Sequence, residues 1–146
     1  MRRLFALLVL VLTSSLALAT DWTVRQRTAQ PFADVREALT LAIENRGLVI
    51  NYTSHIADML ARTGADIGAS KQVFGQAEII EFCSAKLSRQ MMEADPDNIV
   101  LCPFAIAIYT LPGDDRHTWI SWRRPQGSAA TIVEPLLRDI ADEAGR

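Results

Sequence analysis

Two cysteines in 146 residues exclude a disulfide-dense scaffold and any zinc site built from four thiolates. Charge of neither sign is in excess: 15 basic residues stand against 17 acidic ones, a formal net of −2, so composition points to no polyanionic or polycationic partner. Only two histidines are present, His55 and His117. Glycine-rich phosphate loops, the Gly-x-Ser-x-Gly nucleophile turn and the His-Glu-x-x-His zinc helix are all missing. Those absences leave the best-defined cofactor and nucleophile chemistries without support, and no cofactor or metal is expected. With 49% apolar and 22% charged residues the composition is that of one ordinary globular domain.

The amino terminus has the layout of a secretory signal. Arg2 and Arg3 precede a nine-residue apolar run at 4–12, three hydroxyl residues follow, and Ala17 and Ala19 supply the small side chains a signal peptidase requires. Even residues 4–19 fall short of the ~20 apolar residues needed to span a bilayer. Residues 1–19 are therefore expected to be a cleaved signal peptide, with no membrane span left afterwards. The mature chain, residues 20–146, would be periplasmic or secreted, with 13 basic and 17 acidic residues, net −4. That balance argues against nucleic acid as a partner.

Residues 20–146 contain no repeat and read as one domain. Trp22 and Val24 support an edge strand ended by Pro31. Val35, Leu39, Ala42 and Ile43 share one helical face, with Asp34 and Glu37 in the first turn and Gly47 as the stop. Residues 48–53 read as a strand. Ser54 is a candidate N-cap for a second helix carrying Ile56, Met59 and Leu60 and stopped by Gly64. Residues 65–75 read as a loop, 77–83 as a strand, and Ser84 caps a third helix with Leu87 and Met91, broken at Asp95-Pro96. The apolar stretch 99–111, interrupted by Pro103, reads as a central strand that pairs through the turn at 112–115 with a strand at 118–124. Ile132, Leu136, Leu137 and Ile140 mark a terminal amphipathic helix. An antiparallel hairpin within such alternation implies an α+β fold, a mainly antiparallel sheet with helices packed on one face.

Several of these landmarks fall in a known order. They are Gly47, His55 and Gly64, then Phe82-Cys83-Ser84, then Asp95-Pro96, Leu101-Cys102-Pro103-Phe104, Ile108-Tyr109 and Trp122-Arg123-Arg124-Pro125. Together they resemble the bacterial domain of unknown function 302 family over about residues 32–142. The resemblance implies a small α+β domain with an antiparallel sheet, a possible homodimer, and no established general activity. The commoner family pattern lacks a cysteine pair at positions 83 and 102, so the chain resembles an exported, two-cysteine variant.

Cys83 and Cys102 are separated by 18 residues. In an oxidising compartment the expected state is a structural disulfide worth about 3 kcal/mol for a loop of that size. A labile redox pair, thiolate metal ligands and two buried thiols are the alternatives. No Cys-x-x-Cys motif is present. His55 stands where a strand runs into a helix, at a helix start that suits an anion, and the family pattern has a histidine there. Against a ligand-binding role stands the commoner one of a hydrogen-bonded structural histidine. Asp58, one turn on, is a candidate to orient the ring, or an exposed first-turn carboxylate. Met59, Met91, Met92, both histidines and both cysteines are acceptable copper ligands if a fold gathers them, although Met59 and Met91 fit an apolar core face. His117 reads as a solvated turn residue. Arg123 and Arg124 read as edge charges or an anion hold. The expectation is an exported small binding or accessory domain, with an unknown small ligand or protein partner and any site near His55. Catalysis has no identified residues. The rival is a periplasmic thiol-redox or copper-binding accessory protein.

Overall fold

In the computed structural model, residues 22–69 and 71–146 are described. The expected signal peptide, residues 1–19, and its expected cleavage point lie outside the described residues. Five strands form one sheet: β1 Thr23–Thr28, β2 Val49–His55, β3 Ala77–Cys83, β4 Phe104–Tyr109 and β5 Thr118–Arg123. Among the described residues four α-helices accompany them: α1 Phe32–Glu44, α2 Ile56–Asp66, α3 Ala85–Ala94 and α4 Gly127–Ala144. The strand order is β1-β5-β4-β3-β2, and every neighbouring pair is antiparallel. The α+β architecture is thus the one expected from the alternation of patterns.

Strand periodicity decides which face the core occupies. Phe104, Ile106 and Ile108 of β4 are buried while Ala105, Ala107 and Tyr109 between them are half-buried. Ile120 and Trp122 of β5 and Ile80 and Phe82 of β3 join the buried side. Against that face pack Val35, Leu39, Ala42 and Ile43 of α1, Met91 of α3, and Val133, Leu137 and Ile140 of α4. Full burial of one such side chain stabilises by about 1.5–3 kcal/mol, and Phe82 and Phe104 add an edge-to-face ring contact at 6.0 Å. The helix α2 contributes no buried residue. No helix among the described residues is long and apolar enough to cross a membrane.

Local chemistry sets most boundaries as anticipated. Gly47 takes φ +68°, a conformation open to glycine without penalty, just past the end of α1. Ser84 Oγ accepts a hydrogen bond from the Leu87 amide at 3.3 Å and caps α3.

Four local expectations are corrected. Residues 96–101 form a 3-10 helix rather than the start of a strand, and β4 begins only at Phe104. Pro96 is in the first turn of that helix, Asp95 Oδ1 accepts from the Asp97 amide at 3.0 Å, and the Asn98 side chain donates to Met91 O at 2.8 Å. These local polar bonds outweigh the apolar character of Ile99 and Val100, which are left exposed. Gly64 lies inside α2, which runs on to Asp66 before Gly68 takes φ +70°. A Cβ at Gly64 would stand 3.2 Å from Ala69 O, so the glycine admits a close backbone approach rather than ending the helix. Ser54 is within β2, and His55 holds the N-cap position of α2. Met59 is 38% exposed and packs into no core, whereas Met91 is fully buried.

Candidate functional site

His55 is the last residue of β2 and the N-cap of α2, with no side-chain bond to the helix amides. The antiparallel register places it opposite Glu78 of β3. Its Nδ1 stands 3.2 Å from Glu78 Oε1, and Arg36 Nη1 of α1 lies 3.9 Å from the same oxygen. The Glu78 side chain is only 12% exposed and His55 60%, so the carboxylate is a recessed anchor and the imidazole is the accessible end. With Nδ1–H donating to Glu78, Nε2 is the acceptor of the neutral ring. Glu78, not Asp58, therefore orients the ring.

Asp58 makes no hydrogen bond or ion pair among the described residues, yet it lines three adjoining hollows. One of about 530 Å³ is bounded by His55, Asp58, Ala61 and Arg62. Another of about 200 Å³ includes His55, Asp58, Phe32, Gly75 and Glu78. The third, about 500 Å³, runs between α2 and the segment from Ile67 to Gly75, with Leu60, Ile67, Val73 and Phe74 among its walls and Lys71 as its only basic residue. That volume lies in the range of small-molecule sites.

The outer wall of this groove is pinned at both ends. The Ala69 amide donates to Gly64 O at 2.9 Å. At the other end the Gly75 amide donates to Thr110 O at 3.0 Å, and the Gln76 amide donates to Thr110 Oγ1 at 2.9 Å. Phe74 meets Tyr109 edge-on, with ring centroids 5.3 Å apart.

The remaining candidates lie elsewhere. Cys83 Sγ and Cys102 Sγ are 3.7 Å apart, in contact but beyond the ~2.05 Å of a disulfide bond, and both are free thiols here. Ser88 Oγ is 3.6 Å from Cys102 Sγ. Burial first, and the neighbouring Cys102 second, push the Cys83 thiol above its ordinary value. His117 is half-buried rather than solvated, its Nδ1 2.9 Å from Asp114 Oδ1. Arg123 is exposed, while Arg124 pairs with Glu134 of α4 at 3.2 Å. Among the described residues no three histidine, cysteine or carboxylate groups converge as metal ligands.

Sequence reasoning missed Glu78, Arg36 and the 67–75 wall. The two acids of an otherwise apolar strand, Glu78 and Glu81, were a usable signal, though they do not say which of them anchors a site. The partner of Glu78 was not legible, because β2 and β3 are joined through a helix and their register is not local.

Comparison with known proteins agrees with this architecture. A crystal structure of an uncharacterized conserved protein DUF302 from Bacillus stearothermophilus superposes with a TM-score of 0.68, covering 86% of this chain and 99% of that one. At 14% identity the likeness is one of fold. No curated protein matches the chain. The family model for Domain of unknown function DUF302 matches residues 23–146, and the chain belongs to that family.

Proposed function

We propose that the protein is an exported small-ligand-binding domain whose ligand sits in the groove along α2, with His55 and Asp58 at its mouth. The observation that carries this reading is the position of Asp58, a carboxylate without a partner among the described residues, lining all three hollows beside a helix none of whose residues is fully buried. An amphipathic helix kept out of the core leaves Leu60, and Ile67 just past the helix end, available to an apolar ligand body. The first-turn amides of α2 offer donors, and His55 Nε2 an acceptor, to a polar ligand head.

Export is part of the proposal and rests on the basic, apolar and small-residue order of residues 1–19. In an oxidising compartment the Cys83 and Cys102 sulfurs, already in contact, would close as a disulfide joining the end of β3 to the approach to β4.

Binding of the apolar dye 1-anilinonaphthalene-8-sulfonate tests the groove. Leu60→Glu is expected to abolish dye uptake, and His55→Ala to weaken it about tenfold, with both variants melting as the parent does. Unchanged uptake in both variants would remove the proposal.

A further inference from the structure

We propose that the outer edge of β1, at Arg25 and Arg27, is a docking site for an extended acidic segment of a partner protein, which joins the sheet as a further strand. β1 is the terminal strand beside β5, so one row of its backbone donors and acceptors has no strand neighbour among the described residues. Arg25 and Arg27 are two positions apart and point to the same face, the one opposite the helices, and both are exposed. Their guanidinium carbons lie 4.5 Å and 5.8 Å from the centre of the Trp119 ring. Tyr109 stacks on Trp119 with centroids 6.4 Å apart and planes 12° from parallel, and Phe74 closes the aromatic row against Tyr109. The two cations are thus held on one platform by attraction to a ring face rather than by an acid.

Neither Arg25, Arg27 nor Arg123, which shares their face through the β1–β5 register, pairs with a carboxylate among the described residues. By contrast Arg36, Arg46, Arg89, Arg124 and Arg138 each do. Three like charges gathered on one sheet face repel one another, and an anionic partner relieves that repulsion.

The spacing selects the form of the anion. An added strand repeats its side chains on one face every second residue, so acids at alternate positions meet Arg25 and Arg27 in turn while its backbone pairs with β1. The arginines also reject neutral or basic strands, whose pairing would desolvate them without compensation. The other edge strand, β2, carries no charged residue from Val49 to Ser54 and offers no such selection.

The probe is a twelve-residue peptide alternating glutamate and threonine, titrated into the purified protein by calorimetry, with amide hydrogen exchange as the second readout. Binding is expected together with slowed exchange at the β1 amides. Arg25→Glu with Arg27→Glu is expected to weaken binding at least tenfold, and Arg25→Ser with Arg27→Ser serves the same test without charge reversal. Equal affinity for a peptide of the same composition with its glutamates in one block would overturn the proposal, as would undiminished binding by both double variants. So would no binding at millimolar peptide, or slowed exchange at β2 in place of β1.

Discussion

Gly75 stands where the hydroxyl of Thr110 leaves no room for a side chain: a Cβ on Gly75 would lie 2.7 Å from Thr110 Oγ1. That oxygen cannot turn away freely, because it accepts a hydrogen bond from the Gln76 amide at 2.9 Å. Gly75→Ala is expected to destabilise the fold by about 1–3 kcal/mol, the usual cost of forcing an extra methyl into a packed place. Chemical denaturation measures this. Because Gly75 also lines the α2 groove, dye uptake should fall in the same variant.

The Cys83–Cys102 contact predicts a disulfide that forms on mild oxidation. The oxidised protein should resist denaturant by about 3 kcal/mol more than the Cys83→Ser, Cys102→Ser variant, the entropy an 18-residue loop removes from the unfolded chain. Mass spectrometry after alkylation counts the thiols. In the reduced protein iodoacetamide should modify Cys83 more slowly than an exposed peptide thiol, since burial keeps it protonated.

Asp114 titrates below its ordinary 3.8, chiefly because its carboxylate accepts the hydrogen bond from His117. A folded value under the unfolded one means that the unfolded chain takes up the proton first as pH falls. The stabilisation is therefore present above the ordinary carboxylate range and is lost as pH drops through the depressed midpoint. The melting difference between the parent and His117→Ala should shrink as pH falls through and below the ordinary carboxylate range. Carboxyl NMR of Asp114 should show its midpoint return toward the ordinary value in that variant.

Phe82 is fully buried between the sheet and the helices, edge-on to Phe104. Phe82→Ala should cost about 3–5 kcal/mol through lost transfer energy and the cavity left behind. A denaturation midpoint that hardly moves would show that this face is not the centre of the core.

Much of this protein was legible before any coordinates. The helical face of Val35, Leu39, Ala42 and Ile43 and the Ser84 cap follow from a period of 3.6 and from single-residue capping chemistry, both of which act within a few residues. The same local logic misread residues 99–101, whose apolar side chains suggested a strand. Polar bonds from Asp95 and Asn98 wound that stretch into a helix instead.

The chain order alone determined the α+β class, the stop at Gly47 and the place of His55 between a strand and a helix. The partner of His55, the nearness of the two sulfurs, the aromatic row under Arg25 and Arg27 and the hollows around Asp58 were decided by tertiary structure. Each joins segments distant in the chain, such as His55 with Glu78, 23 residues apart, and Gly75 with Thr110. Such pairings depend on which strands become neighbours and in what register, and that is settled by burial of the whole core rather than by any local run of residues.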